Sequence, residues 1–490
     1  MSSVSISPST LSSPRPNSAF SVRKAMSTRF INRRGFLGQA NCALISALPI
    51  MNTLLNLRLA GSAAAQETGN NDYKALVCLF LSGGNDSFNM LAPRGAAYQE
   101  YSGIRGPIAI PEAQLRPINP LVDPGRPLGL HPALEGLQSL FESEDLAFVA
   151  NVGTLVETVT KAQYNAGQNL PLGLFSHSDQ IEQWQTSIPD NRSGIGWGGR
   201  MADLLKSLNQ ENRFSMNISL DGSNVWQAGN TIAEYAIRDT GADSMTGYNS
   251  AYVAGQHASQ VRSAALDSQM AVEYDNIFQK SFAKSKKDAL AAYDAFTAAT
   301  TVTLPSNITW PDTRLADQLK MVARTIAGRG TLGMRRNTFF VNYGGFDHHS
   351  ALLPNQAAML PVVDGAVKAF WDTIKAIGAE NEVVLYSGSD FGRTLTSNSQ
   401  GSDHAWGGNQ FVLGGQVKGR RIHGSYPDLH ADSILDVGRG RLIPTTSVDE
   451  FFAEMALWLG VSRSNLPLVL PNISRFIDIN GTAAPVGFLL

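Results

Sequence analysis

The fold is decided between residues 339 and 415, which include FFVNYGGFDHHS (339–350), VVLYSGSDFGR (383–393) and SDHAWGGNQFVLGG (402–415). The first two stretches each begin with an apolar run that is typical of a buried strand and continue into glycines and charged residues. Ligands of open α/β sheets bind just outside the carboxyl ends of the strands. We therefore expect the acids and histidines of this region to converge on one crevice, where they would form a metal site.

A helix is predicted between these two strands. Its apolar residues recur every three or four positions, at Met359, Val363, Ala366, Phe370, Ile374 and Ile377. A right-handed crossover through such a helix places both strands in one parallel sheet. Residues 75–81 and 146–150 are further continuous apolar runs. The sequence thus predicts an α/β fold, with a mainly parallel sheet flanked by helices on both faces.

Composition narrows the class of protein. The chain has 490 residues, 43% of them hydrophobic and 16% charged, with a formal net charge of −2. This gives ample material for a core and no support for nucleic acid as a partner. The mature chain contains no apolar span long enough to cross a membrane. We expect one large domain at residues 73–478, with a helical insertion around residues 252–299 that could be a lid or an ordinary surface layer.

The N-terminus has the order of features found in an export signal. NRRGFL (32–37) is a twin-arginine motif, and a mildly apolar region and the small residues 63–65 follow it. Residues 1–65 are therefore interpreted as a lead and signal peptide, with Met26 as an alternative start. The expected partner is the twin-arginine translocation machinery and the expected location is the periplasm. Removal of this segment also removes Cys42, which leaves Cys78 as a core residue without a disulfide partner.

Five residues placed after successive strands are the candidate metal ligands: Asp86, Asp347, His349, Asp390 and His404. Aspartate and histidine together bind one or two divalent ions such as Zn, Mn or Mg. Arg393, shortly after Asp390, could bind an anionic oxygen of a substrate. Each residue alone could instead cap a loop or form a surface ion pair, and their common location favours a site. The sequence leaves open whether His348, Asp403 or His177 also touches a metal.

FSHSDQ (175–180) supplies a candidate nucleophile. A serine at a helix N-terminus faces free N–H groups that can hold an anion, and a metal could activate it. Ser176 is the tentative nucleophile, and His177 beside it is a candidate for substrate binding. Simple helix capping by Ser176 or Ser178 is an equally good interpretation of this stretch.

Taken in order, the twin-arginine signal and the motifs at 82–86, 175–177, 345–349, 389–393 and 403–404 resemble the bacterial family called domain of unknown function 1501. That family resembles the alkaline phosphatase-like superfamily, which includes sulfatases. The resemblance implies an alkaline phosphatase-like core with metal ligands at Asp86, Asp347, His349, Asp390 and His404, and the nucleophile at Ser176. Phe391 stands where alkaline phosphatases have a histidine, which weakens the expectation of a second metal.

The function expected from these features is that of an exported metal-dependent hydrolase of phosphate or sulfate esters, acting on a small anionic ester. The alternative is a non-catalytic binding or scaffold protein that keeps part of the metal site.

Overall fold

A computed structural model describes residues 72–209, 215–245, 247–248, 257–430 and 433–489. Its strands are β1 Lys74–Phe80, β2 Leu91–Pro93, β3 Arg116–Pro117, β4 Leu128–Leu130, β5 Leu146–Gly153, β6 Asn217–Ser219, β7 Tyr235–Ala236, β8 Arg336–Asn342, β9 Val383–Gly388, β10 Gly408–Gly414, β11 Ile422–His423 and β12 Thr446–Ser447. The predicted signal peptide lies outside the described residues.

Nine strands form the main sheet in the order β11-β5-β10-β9-β1-β8-β6-β7, with β12 paired to β5. Strand β1 lies between β8 and β9 and is parallel to both. The other parallel pairs are β6 with β8, β6 with β7, and β5 with β11 and β12. Strand β10 runs antiparallel to both of its neighbours. The predicted mainly parallel sheet is therefore confirmed, with one reversed strand.

The helices are α1 Ser87–Met90, α2 Tyr98–Arg105, α3 Glu135–Glu142, α4 Lys161–Asn165, α5 His177–Thr186, α6 Trp197–Leu205, α7 His257–Met270, α8 Ile277–Thr300, α9 Arg314–Ala327, α10 Leu352–Ala376, α11 Val448–Leu459 and α12 Leu466–Val469. Helix α10 joins β8 to β9 as the periodicity predicts. Helices α7 and α8 occupy the stretch where a helical insertion is expected. Within the described residues, no helix is both long and apolar enough to span a membrane.

Strand β1 is apolar at consecutive positions, which fits a sheet that is covered by helices on both faces. Successive side chains of a strand point to opposite faces. Val77 and Leu79 belong to the core cluster that includes residues of α3, α9 and α10. The opposite face carries an aromatic layer in which Trp197 of α6 stacks on Phe452 of α11 at 4.5 Å. Cys78 is a buried free cysteine, as expected, and burial raises the pKa of its thiol to about 12.

The carboxyl ends of β1, β8 and β9 lie side by side at one edge of the sheet. The loops that follow them begin at Leu81, Tyr343 and Ser389, and they carry the predicted motifs. The topology therefore brings residues more than 300 positions apart to one place.

Candidate metal centre

Two glycines allow the loop after β1 to approach its neighbours closely. Gly83 and Gly84 have φ of +114° and +79°, a region that favours glycine. A Cβ on Gly83 would lie 2.6 Å from the backbone nitrogen of Asp347, and one on Gly84 would lie 2.4 Å from the Phe391 ring. The Gly83 N–H donates to Asp390 Oδ1 at 3.0 Å. The loops after β1, β8 and β9 are therefore packed closely against one another.

Three histidine Nε2 atoms converge on one carboxylate oxygen, Asp347 Oδ1. They belong to His349, His404 and His177, at 3.1, 3.2 and 3.5 Å. The ligand atoms of His177, Asp347 and His404 all lie within 4.8 Å of one another. His349 adjoins them, with 2.9 Å between its Nε2 and that of His404. The structure thus brings together three of the five predicted ligands and adds His177.

Each of these histidines has an acceptor at its other ring nitrogen. His177 Nδ1 lies 2.6 Å from Asp390 Oδ2, His349 Nδ1 lies 2.9 Å from Asp403 Oδ1, and His404 Nδ1 lies 2.8 Å from the carbonyl oxygen of Phe175. A carbonyl or an ionised carboxylate can only accept, so the ring proton belongs on Nδ1 in all three. The Nε2 lone pairs then point into the cluster, as in histidines that bind metals.

This arrangement fits a divalent cation. Two Nε2 lone pairs 2.9 Å apart repel each other unless a proton or a metal ion lies between them. His177 Nε2 is buried without a hydrogen-bond partner among the described residues. Ligand atoms bonded to one tetrahedral zinc at about 2.0–2.1 Å lie roughly 3.3 Å apart, close to the spacings found here. Burial also lowers the pKa of His404, although its bond to Phe175 opposes this, and the neutral ring is the form that binds metals.

Arg393 has a different position from that expected of a substrate-binding arginine. Its side chain is fully buried, and Nη1 donates to Asp347 Oδ1 at 2.7 Å. Its other donors contact the Gly83 carbonyl and Ser402. Burial alone would raise the pKa of Asp347, but the hydrogen bond and charge of Arg393 lower it below its usual value. Arg393 therefore holds Asp347 ionised, and its guanidinium is directed at protein groups.

Two predicted ligands lie outside the cluster. Asp86 is completely buried in an ion pair with Arg105 of α2, and its other oxygen accepts from the Asn89 N–H at the start of α1. Asp390 is buried behind His177, with one oxygen on the Gly83 N–H and the other on the imidazole. Both oxygens of each carboxylate are thus engaged by protein donors, which is why neither points into the cluster.

Ser176 is held beside the cluster by both of its neighbours in sequence. The preceding carbonyl, that of Phe175, accepts from His404, and the following side chain, His177, is in the cluster. Phe175 has φ of +72°, which is unusual for a residue with a side chain. Ser176 is the N-cap residue of α5, yet its hydroxyl makes no capping bond and lies 3.2 Å from Ser178 Oγ. Ser176 thus occupies the N-cap position without a capping hydrogen bond from its side chain.

The sequence leaves the role of Asp403 open and does not indicate that of Arg439. Asp403 orients His349 and is itself paired with Arg439. Its position next to His404 was the available signal, whereas nothing in the sequence around Arg439 indicates this contact. His348, the other residue left open, is buried against Phe346 with 5.9 Å between ring centres, and it is absent from the metal-capable group among the described residues.

Comparisons with known proteins agree with the expected family. Residues 73–467 match the profile of a family described as "Protein of unknown function (DUF1501)". No curated protein matches the chain.

Several solved structures are also similar to this chain, at low identity. The C-terminal periplasmic domain of EcEptC from Escherichia coli in complex with Zn is 11% identical to this chain. The similarity covers 85% of this chain and 93% of that one, with a TM-score of 0.32. The PsFucS1 sulfatase from Pseudoalteromonas sp. is 9% identical, with a TM-score of 0.30 over 84% and 72%. A mutant of the alkaline phosphatase PafA is 11% identical, with a TM-score of 0.25 over 67% and 64%. Scores of this size carry no argument about the site, which is interpreted from its own residues.

Proposed function

Because this chain belongs to the DUF1501 family, whose name carries no activity, we propose its function from the site: a metal-dependent hydrolase of phosphate or sulfate esters. The observation that carries the proposal is the convergence of three Nε2 atoms on Asp347 Oδ1, with an acceptor behind every imidazole. His177, Asp347, His349 and His404 would hold the ion. A bound divalent cation would supply Lewis-acid stabilisation of the charge that develops on an ester oxygen.

The site is proposed to take one ion. A second ion would need further carboxylates, and the nearby ones are already neutralised by protein groups. Arg105 pairs with Asp86, and Arg439 pairs with Asp403. The Phe391 ring lies 4.8 Å from that of His177 and 4.6 Å from that of His404, which fills the remaining space with an apolar group.

Ser176 is the proposed nucleophile. Its hydroxyl lies at the N-terminus of α5, a helix of ten residues, where unpaired N–H groups and the positive end of the helix dipole favour an anion. The serine side chain is only partly exposed, and the residues on both sides of it are fixed to the cluster. An ester whose anionic group rests on this helix end would present its central atom to the hydroxyl.

Export is also proposed, in line with the twin-arginine motif at residues 32–37. The four ligands come from three segments far apart in sequence, so the metal site exists only after folding. Translocation of the folded protein would deliver the assembled site to the periplasm. Replacing Arg33 and Arg34 together with lysine should leave the precursor in the cytoplasm, and an unchanged periplasmic fraction would contradict the proposal.

The experiment compares the metal-loaded protein with Ser176→Ala and with Ser178→Ala as the matched control, across a set of phosphate and sulfate esters. Loss of the nucleophile should lower turnover by on the order of 10³-fold or more without changing the metal content. Ser178→Ala should keep most of the turnover. Undiminished turnover in Ser176→Ala would contradict the role of this serine. Metal binding without hydrolysis of any ester would favour the binding or scaffold protein instead.

A further inference from the structure

Exposed apolar side chains are concentrated in one segment of the described chain. Five of the eleven large hydrophobic side chains exposed among the described residues lie between residues 261 and 282. They form what we call the hairpin patch: Val261, Val272, Ile277, Phe278 and Phe282. Ile277 is 74% exposed, Phe278 81% and Phe282 66%. A soluble surface seldom carries so much apolar area in one short segment, and such patches mark interaction sites.

The hairpin patch lies where α8 leaves the core. The buried residues of α8 are Ala292, Phe296 and Ala299, all in its C-terminal half. The N-terminal half, residues 277–288, carries Ile277, Phe278 and Phe282 of the patch, and Phe282 shares a cavity with residues of α7. This start is well formed, because Asn276 caps the helix by accepting from the N–H of Phe278 at 2.9 Å. The aromatic side chains are therefore presented by a regular helix.

A small apolar cavity continues the patch between the two helices. It has a volume of about 220 Å³, and Leu266, Met270, Tyr274 and Phe282 line it. A cavity of this size, open beside exposed phenylalanines, can admit the end of an apolar chain.

The same half-helix is strongly basic. Residues 277–288 contain four lysines, Lys280, Lys284, Lys286 and Lys287, and one acid, Asp288. Lys284 pairs with Asp288, and Lys286 lies 5.4 Å from the centre of the Phe282 ring. All four lysines are exposed. Glu273 and Asp275 precede the helix, so the positive charge is concentrated on α8 itself and not on the whole hairpin.

We propose that the hairpin patch docks the protein on the surface of an anionic lipid bilayer. Aromatic and aliphatic side chains next to lysines on one helix are the features by which a peripheral helix lies in the headgroup region, where anionic lipids attract the lysines. A second copy of the chain is disfavoured as the occupant, since a two-fold contact would bring the lysines of both copies together. The inference does not depend on the proposed hydrolase activity.

The test uses the full mature chain in co-sedimentation with vesicles of phosphatidylcholine alone or mixed with phosphatidylglycerol. Wild-type protein should bind the mixed vesicles, and raised salt should weaken the binding. Phe278→Ser with Phe282→Ser should lower the apparent affinity about tenfold or more, and Lys280→Gln with Lys287→Gln should lower it on mixed vesicles. Ile434→Ser is the matched control, because Ile434 is 83% exposed but lies outside the patch, and it should bind as wild type does.

Three results would overturn the proposal. The first is that wild-type protein does not bind the mixed vesicles. The second is binding that the phenylalanine and lysine variants leave unchanged. The third is a dimer in analytical ultracentrifugation that the phenylalanine variant abolishes, which would assign the patch to self-association. A thermal unfolding midpoint (Tm) equal to that of wild type shows that the fold of each variant is intact.

Discussion

At the scale of single residues, the proposed metal binding depends on which ring nitrogen carries the proton in each of three imidazoles. Asp390, Asp403 and the Phe175 carbonyl each accept from a histidine Nδ1, which leaves all three Nε2 atoms free to bind an ion. Such second-layer acceptors fix the tautomer and the ring orientation, and they raise the basicity of the ligand. The acceptors behind the ligands therefore matter to the affinity as well as the ligands themselves.

Asp403→Asn should weaken metal binding about 10- to 100-fold, because an amide holds the His349 proton on Nδ1 less well than a carboxylate does. Competition with a fluorescent chelator measures the change. Asp428→Asn is a matched control, since Asp428 pairs with Arg126 and does not touch the cluster. Equal affinities of Asp403→Asn and wild type would show that His349 is not a ligand.

Asp86→Asn distinguishes a structural aspartate from a ligand. The substitution leaves the buried charge of Arg105 uncompensated, which typically costs about 3–5 kcal/mol in the free energy of unfolding. We expect this loss in urea denaturation, together with an unchanged metal content. A variant that unfolds like wild type but binds no ion would show that Asp86 is a metal ligand.

These residues also show how far sequence reasoning reaches. Asp347, His349 and His404 could be predicted because each follows a strand or a strand-like apolar run, and the structure brings their side chains together. Asp86 and Asp390 have the same local pattern, but their carboxylates bind protein groups. Asp86 pairs with Arg105, and Asp390 accepts from the Gly83 N–H and from His177. Those partners come from distant segments, and no local pattern indicates them.

At the scale of helices and strands, apolar patterning predicts where an element lies better than it predicts direction. Strands β1, β5, β8 and β9 match continuous apolar runs, because both of their faces are buried. Strand β10 has the same kind of sequence yet runs antiparallel. The connection after β9, residues 389–407, contains no helix, whereas parallel neighbours are usually joined by a crossover helix.

Helix α11 should make the stability of the protein depend on pH through Asp449. Burial raises the pKa of this carboxyl group to about 8, whereas an unfolded aspartate titrates near 3.9. Between about pH 4 and pH 8 the unfolded state has released the proton and the folded state keeps it. The contribution of Asp449 to the free energy of unfolding therefore falls as pH rises, by up to about 1.4 kcal/mol per pH unit.

Urea denaturation of wild type and Asp449→Asn at pH 5.5 and pH 7.5 measures this effect. The wild type should lose up to about 2.7 kcal/mol more than the variant over these two pH units. Asp372→Asn is the control, because Asp372 belongs to a partly exposed pair with Lys368 and should leave the slope unchanged. A slope that Asp449→Asn does not change would mean that this carboxyl group is ionised in the folded state.

At the scale of the whole molecule, the sheet brings distant segments together at the proposed metal centre. His177 comes from the start of α5, Asp347 and His349 from the loop after β8, and His404 from the loop before β10. An ion bound by these segments would stabilise the folded state by mass action, by about 2.7 kcal/mol at a free concentration of 100 times its Kd. The proposed metal binding, catalysis by Ser176 and export of the folded protein would be linked in this way.

The most direct test of the central claim is the metal content of the mature protein, purified from the periplasm without added metal and measured by plasma mass spectrometry. The account predicts one tightly held divalent ion per chain in wild type, none in Asp347→Ala with His404→Ala, and one in Asp86→Asn. Two ions per chain would contradict the single site while leaving the hydrolase proposal in place. No ion in wild type, with normal folding and no uptake of added Zn or Mn, would contradict the metal centre itself.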